Sequence, residues 1–538
     1  MEFSLSRDNF LRGALILTIA GIAVKIIGGG NRIFLSRLLG GEGIGLYQMA
    51  YPIYLLALNV SYAGIPVAIS ILVAERVALR DRLGVQRVFK LSLVLMVLTG
   101  IFFSGLLYLS AAWLIKYEII KDPRAYLAIV ALAPAIVFVT VLASFRGYFQ
   151  GLQQMFPSGV SQVAEQFVRV FAMVGFAWIL LPKGIEYAAA GATFGALPGA
   201  LAGILVLGYF ASKKPLDKIL PFGEVSENKL PVPPKTIVIL KRIFWLALPV
   251  SLASIMLPIG LLIDLYIVPK RLIEAGGYSV AEATELYGFL TGMAAPLINM
   301  ATILTASLAA SLVPAISEAF TLDKTDVIRH RISTAVRVSS LITIPAFVGL
   351  FFLSGPISKM LFNTWDAGPV IGAMSLGIFF LGLHQISTAV LQGLGRTSIP
   401  VIMMIIAALG KIALNWILTG YWGVVGASWA SVADYAIAAI LNIVFVYRFT
   451  GYGLDLEDVW RPGMASVAMG IILWPIYSLL FSQTGSNTIA TFSSMLLGTV
   501  VFSIVILLNG GVRETELVRI PVLGARLAAI LKKLRILR

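Results

Sequence analysis

Apolar residues in this chain come in long runs, not in the short alternations of a soluble fold. From Gly13 to Leu508, runs of roughly 20 residues recur with little polar interruption, the length a helix needs to cross a hydrocarbon core of about 30 Å. Such runs must be helical, because a helix satisfies its own backbone polar groups where water is absent, and few stretches alternate as barrel strands do. The pattern predicts membrane helices over 13–39, 46–74, 89–115, 125–149, 158–182 and 186–211, then 238–268, 283–318, 336–358, 368–394, 399–420 and 424–448, with two more at 462–482 and 488–509. The expected fold is an all-α integral membrane protein of about fourteen transmembrane helices.

A Pro- and Lys-rich stretch interrupts these runs near the middle. The expected organisation is an N-terminal six-helix lobe (1–211), a cytoplasmic linker (212–236), a C-terminal six-helix lobe (237–450), an additional two-helix unit (451–510) and a basic amphipathic cytoplasmic tail (511–538). Short motifs recur across the linker in order: Leu46-Tyr47 as Leu286-Tyr287, Val73-Ala74-Glu75 as Ile316-Ser317-Glu318, and Gln150-Gly151-Leu152 as Gln392-Gly393-Leu394. Asn31-Arg32 likewise falls opposite Lys270-Arg271. Because the offset spans an even number of helices, the lobes are expected to be related by a pseudo-twofold axis along the membrane normal.

Composition agrees with lipid as the main solvent: 59% of the 538 residues are hydrophobic and 12% charged, with a mean hydropathy of +0.93. The N-terminal segment MEFSLSRDNF precedes an apolar run that continues to about Leu39 without a convincing cleavage site, and reads as the start of a first membrane helix. Most of the 41 Lys and Arg fall in segments that share one side if the N-terminus is cytoplasmic, among them ERVALRDRLGVQRVFK and the C-terminal ARLAAILKKLRILR. The expected topology therefore has both termini in the cytoplasm. The net charge of +15 is then an orientation signal and an attraction for anionic lipids, and calls for no nucleic-acid partner. With no cysteine and two well-separated histidines, His330 and His384, no metal site or metal cofactor is expected.

Ionisable groups within the spans are costly, so each should face a partner or a watery cavity. In the first helix Lys25, Gly28, Gly29 and Arg32 share one face, which reads either as a cationic patch on an internal cavity or as an outward-snorkelling arginine beside packing glycines. In the fifth helix Ser158, Gln162, Glu165 and Arg169 form a polar stripe, with Glu165 and Arg169 spaced to neutralise one another, as a structural ion pair or as a substrate contact. The matching helix of the second half carries Lys411, Asn415 and Thr419, and Asp434 on the next helix could pair with Lys411. Asp264 lies near the repeat position of Lys25, as a coupling-ion site or a solvated helix-end carboxylate, while Arg271 falls opposite Arg32. Glu75 and Glu318 are repeat-equivalent near cytoplasmic helix ends, where a gate or a helix-end contact is expected.

Two stretches carry a family resemblance. FRGYFQGLQQMFPSGVSQVAEQFVRV (145–170) and the opening KIIGGGNRIFLSRLLGGEGIGLYQMAYPIY resemble the stage V sporulation protein B family, in the multidrug/oligosaccharidyl-lipid/polysaccharide exporter superfamily that also holds polysaccharide flippases and MurJ-type lipid II flippases. The resemblance implies a two-lobed transporter that flips undecaprenyl-diphosphate-linked glycan precursors by alternating access. It also implies a cationic cavity with arginines on the first helix of each lobe and on the second helix. Lys25 and Arg32 match the first of these, but the second helix, YPIYLLALNVSYAGIP, has no arginine.

The expected function is export of a polyprenyl-linked glycan lipid, for peptidoglycan or spore cortex, across the bacterial cytoplasmic membrane. Lys25, Arg32, Arg169, Arg271 and Lys411 are the expected cationic substrate contacts, and Glu165, Asp264 and Asp434 the coupling or pairing carboxylates. The last two helices could line a groove for the polyprenyl tail. Membrane potential or a coupling cation, sodium or proton, would drive a functional monomer. A cation-coupled drug exporter of the same superfamily is the alternative, but it would need carboxylates to dominate the cavity, and Lys25, Arg32 and Lys411 argue against it. A membrane glycosyltransferase or ligase would need a catalytic constellation in the outer loops, which are short, so an enzyme is not expected.

Overall fold

The computed structural model describes residues 2–62, 64–213 and 236–511. The linker and the basic tail expected from the sequence lie, border residues apart, outside the described residues. Among the described residues all regular structure is helical: α1 (Glu2–Tyr62), α2 (Ile65–Ala78), α3 (Arg82–Lys116), α4 (Ala125–Gly151), α5 (Met155–Leu180), α6 (Ile185–Phe194), α7 (Ala196–Lys213) and α8 (Thr236–Glu274) come first. After them follow α9 (Val280–Gly288), a π turn (Phe289–Ala294), α10 (Ala295–Ala301), α11 (Ile303–Thr321), α12 (Thr325–Phe352), α13 (Ser354–Phe362), α14 (Gly368–Ser375), α15 (Gly377–Gly393), α16 (Ser398–Thr450), α17 (Glu457–Thr484) and α18 (Asn487–Leu508). Eleven stretches of the described chain are long and apolar enough to cross a membrane. The two longest each join two helices at a glycine of positive φ, Gly40 (φ 66°) in α1 and Gly423 (φ 59°) in α16, a backbone region that side chains with a Cβ rarely adopt.

The chain forms two compact units, Met1–Lys270 with Ser279–Gly288, and Arg271–Tyr278 with Phe289–Arg538. In the first, Leu35, Leu39, Ile44 and Tyr47 of α1 pack on Met173 and Ala177 of α5 and on Ala188 and Ala192 of α6. Ile239, Ile243 and Ala247 of α8 pack on Ala68, Ile69, Leu72, Val85 and Val88 of α2 and α3, so the opening turns of α8 belong to this unit's core. In the second unit, α11, α12, α15 and the later half of α16 share a core around Ile316, Ile332, Val390 and Ala439. Lipid tails are as apolar as leucine, so helices here associate by close packing, and small residues at crossings carry much of it.

The repeated Gln-Gly-Leu motif is such a crossing in both units. A Cβ on Gly151 would stand 2.7 Å from the Ser70 carbonyl oxygen and from Val73 Cβ, and one on Gly393 would stand 2.8 Å from the Val313 carbonyl oxygen and 2.7 Å from Ile316 Cβ. Each glycine closes its helix, and two residues later the backbone turns left-handed, at Gln153 (φ 57°) and Gly395 (φ 74°). The motifs recur because the same two helices meet in the same way in each unit.

The single helix expected over 283–318 is broken. Pro296 has no N–H to close an α turn onto Gly292, and the π turn Phe289–Ala294 precedes it; a second break at Thr302 separates α10 from α11. Ahead of the break, α9 is fixed to the first unit at close range. A Cβ on Gly45 would lie 2.0 Å from the Thr284 carbonyl oxygen and one on Gly288 2.2 Å from that of Gly41. The Thr284 hydroxyl also donates to the buried Asp122 carboxylate at 2.7 Å, and Arg124 ties Asp122 to Glu42. Those hydrogen bonds raise the pKa of the Arg124 guanidinium.

Enlarging either repeat glycine should force the crossing open. Gly151→Leu and Gly393→Leu are each expected to cost about 1–3 kcal/mol through overpacking, read as a lower thermal unfolding midpoint of the purified protein. Gly453, whose Cβ would meet nothing, should tolerate the same change.

Candidate functional site

The first unit gathers charge from α1, α4 and α5. On α1, Arg32 is half-buried, donates to Gln48 Oε1 at 2.8 Å and lies over the rings of Tyr47 and Tyr51, 5.2 and 5.5 Å from their centroids. Neighbouring Lys25 is exposed, and the notch at Gly28 receives Gln166 of α5, whose Nε2 would lie 3.1 Å from an added Cβ. Gly28 is thus a packing position, while Arg32 turns into the bundle.

On α5, Glu165 and Arg169 form the ion pair that their spacing predicts. A third member comes from α4: Arg146 donates to Glu165 Oε2 at 2.8 Å through Nη2 and to Ser161 Oγ at 3.0 Å through Nε. The side chains of Glu165, Arg146 and Arg169 are 12%, 19% and 24% exposed, so the cluster is largely withdrawn from solvent. Tyr47, Tyr51 and Tyr54 of α1 stand within electrostatic reach of Arg169. Tyr47 stacks on Tyr51 at 5.8 Å, and Tyr51 lies tilted against Tyr54 at 6.2 Å. The set holds Arg146 and Arg169 on the single carboxylate of Glu165, with Arg32 against the same tyrosine row.

The second unit treats its cations differently. Arg271 donates to the Trp416 carbonyl oxygen at 2.9 Å and lies 4.8 Å over that ring, and a Cβ on Gly420 would collide with its Nη2, so it is clamped within a few residues of the Gly423 turn. Lys411, Asn415 and Thr419 are buried along one face of α16, with the Thr419 hydroxyl donating to Asn415 Oδ1 at 2.7 Å. Lys411 and Asp434 each have a partner. Arg337 of α12 approaches Asp458 of α17 to 4.0 Å, both buried, and Ser333 donates to the same carboxylate at 3.1 Å. Beside this contact an apolar pocket of about 600 Å³ is lined by Ile344, Phe347, Phe379, Trp460, Met464 and Ile471. Of the two last helices expected to line a groove, α17 contributes here together with α12 and α15.

Asp264, in the first unit, is 5% exposed, which favours a buried role over a solvated helix end. Glu75 and Glu318 both make helix-end contacts, with different partners. Glu75 accepts two hydrogen bonds from Arg242 of α8, each 2.8 Å, and Glu318 accepts from Arg331 of α12 at 3.3 Å. No group of three or more metal-ligating side chains occurs among the described residues.

Residues 10–320 match the polysaccharide biosynthesis protein family, and residues 291–417 match the MatE family. Stage V sporulation protein B of Bacillus subtilis (strain 168) is 30% identical over 526 residues, which cover 97% of this chain and 99% of that protein. The chain belongs to the polysaccharide biosynthesis protein family. Lipid II flippase MurJ of the same organism is 27% identical over 506 residues, 89% of this chain and 91% of that protein. A solved structure of lipid II flippase MurJ in its inward closed conformation has a TM-score of 0.67 at 16% identity, covering 91% of this chain and 98% of that one, which establishes a shared fold.

Within this polysaccharide biosynthesis protein the part of α1 after Gly40 carries tyrosines and no arginine, and Arg169 of α5 places its guanidinium beside them. Arg146 and the tyrosine row were not singled out from the sequence. The i, i+4, i+7 spacing of Tyr47, Tyr51 and Tyr54 was the available signal for the row. No spacing rule joins Arg146 to Glu165, which meet across two helices.

Arg146→Ala leaves half of the Glu165 carboxylate without a donor and is expected to cost about 1–3 kcal/mol. Arg271→Ala, at a half-buried helix end, should cost less, which thermal unfolding of the two purified variants in detergent would check.

Proposed function

We propose that this protein is a flippase that carries a polyprenyl-diphosphate-linked glycan, of the lipid II kind, across a bacterial cytoplasmic membrane by alternating access. One observation carries the reading: Arg146 and Arg169 share the single carboxylate of Glu165 in the first unit, and Arg32 lies over Tyr47 and Tyr51, which Arg169 also reaches. Such a set suits an anion of two charges, because guanidinium groups bind phosphate oxygens in pairs and hold them strongly out of water. Family membership and the names of the relatives, lipid II flippase and stage V sporulation protein B, support the same cargo class. Moving two negative charges out of the cytoplasm draws about 4–5 kcal/mol per 100 mV from an inside-negative potential, so transport needs no nucleotide hydrolysis.

In this reading the chain crosses the membrane fourteen times as a functional monomer, with both termini cytoplasmic and its basic linker and tail against anionic lipid. Lys25 stands at the cargo's approach, and Arg271 and Lys411 serve the second lobe. Asp264 and Asp434 take a coupling sodium ion or proton, and Glu75 and Glu318 close the cytoplasmic side. The apolar pocket beside α17 suits part of the prenyl chain. A cation-coupled drug exporter is the second reading, favoured by the match of residues 291–417 to MatE and by the burial of Asp264. The excess of arginine in the first unit weighs against it.

Cells that depend on this protein for precursor export provide the test, with the precursor headgroup labelled from outside. Lys25→Ala and Arg32→Ala should strongly reduce labelling at unchanged membrane expression, and Arg32→Lys should reduce it partly, because lysine offers a point charge in place of a fork. Full export in both alanine variants would contradict the cationic route.

A further inference from the structure

Glu165 holds both inner arginines of the first unit, and the geometry around it leaves donors to spare. Its two oxygens are divided, Oε2 to Arg146 and Oε1 to Arg169. Arg169 Nε is buried without a hydrogen-bond partner, although the guanidinium is built to donate from all its nitrogens. The charged and titratable groups facing Glu165 are Arg146 from α4, Arg169 from its own helix, and Tyr54 and Tyr62 from α1. Helix α7 meets this stretch through glycines: a Cβ on Gly199 would lie 2.7 Å from Arg169 Cβ and 2.9 Å from the Glu165 carbonyl oxygen, and one on Gly203 3.5 Å from Glu165 Cβ. From α6, Glu186 lies beside the Gly184 turn at the far end of α5. Among the described residues, neither guanidinium pairs with a second carboxylate.

We propose that Glu165 is an internal competitor for the anionic cargo, and that a diphosphate diester binds Arg146 and Arg169 as Glu165 takes up one proton from water. This rests on the flippase reading above. The balance of charge is the reason. Empty, the cluster holds two guanidiniums and one carboxylate. A diphosphate diester brings two negative charges, which the guanidiniums neutralise completely, and Glu165, stripped of both donors and placed beside the diphosphate, would then be an uncompensated anion out of water. Protonated, it leaves the loaded cluster without net charge and can donate to a phosphate oxygen. When the cargo departs, the carboxylate recovers its arginines and returns the proton. Glu165 thus keeps the two arginines in place between cargoes and makes cargo affinity depend on pH. The sign follows from linkage: binding that takes up a proton weakens as pH rises, by up to about tenfold per unit.

The test uses the full-length protein in nanodiscs and geranyl-diphospho-N-acetylglucosamine, a diester whose two charges do not titrate between pH 6 and 8. Calorimetry in two buffers of different ionisation enthalpy counts protons taken up per ligand bound. The wild type is expected to take up about one, with affinity falling about a hundredfold from pH 6 to pH 8. Glu165→Gln should bind at neutral pH at least as tightly as the wild type, with no proton uptake and no pH slope. Wild-type binding without proton uptake overturns the proposal, and needs no variant to fold. An unchanged slope in Glu165→Gln overturns it too, because the proton then goes elsewhere. Arg169→Ala separates the two readings: undiminished binding there refutes the site itself, whereas lost binding beside a wild type that takes up no proton refutes only the role of Glu165.

Discussion

The first unit depends on keeping guanidinium charge neutral at a depth where water is scarce. Glu165 lies about 15 Å along α5 from Met155, and Arg146 about 8 Å from the end of α4 at Gly151, both within helices apolar enough to span a membrane. An ionised side chain there costs about 2.5–3.5 kcal/mol on insertion scales, so no arginine in this region can stand alone. Glu165 meets that cost for Arg146 and Arg169, while Arg32 leans on Gln48 and on the faces of Tyr47 and Tyr51. Both guanidiniums on Glu165 are held in place, yet one carboxylate cancels the charge of only one of them. An anion passing through would complete the neutralisation that the protein itself leaves short.

That electrostatic arrangement requires helices that approach closely. Gly199 and Gly203 let α7 lie against the backbone of α5, and Gly28 makes room for Gln166. At the other end of the crossings, Gly151 and Gly393 seat the fourth helix of each repeat against a neighbouring helix. Where lipid competes for every apolar contact, these glycines do what leucine packing does in a soluble core.

Much of this was legible in the sequence, and the reasons for the rest are physical. Hydrophobic periodicity reports that a segment is helical and which residues share its face, so the spans and the Glu165–Arg169 pair could be read directly. The Gln-Gly-Leu recurrence could be read as a repeat because both copies serve the same steric contact. Periodicity does not report which helix lies opposite. Arg146 joins Glu165 from another helix, α8 packs its first turns with α2 and α3, and Arg271 faces Trp416 at a helix end, and each is a tertiary choice. The split of the 283–318 run came from Pro296 within an apolar stretch that otherwise reads as one helix. Asp264 could be read as a coupling-ion site or a solvated helix end, because its sequence neighbours are uninformative about its burial.

The central claim is that the headgroup of the cargo passes the arginines around Glu165, and photocrosslinking tests it most directly. A polyprenyl-diphosphate sugar bearing a photoreactive group on its first sugar would be bound to the reconstituted protein, irradiated, and the labelled peptides mapped. The account predicts label on residues 47–62 of α1 and 155–180 of α5, competed by unlabelled diester and lost in Arg169→Ala. Label confined to other helices, or undiminished in Arg169→Ala, would contradict it.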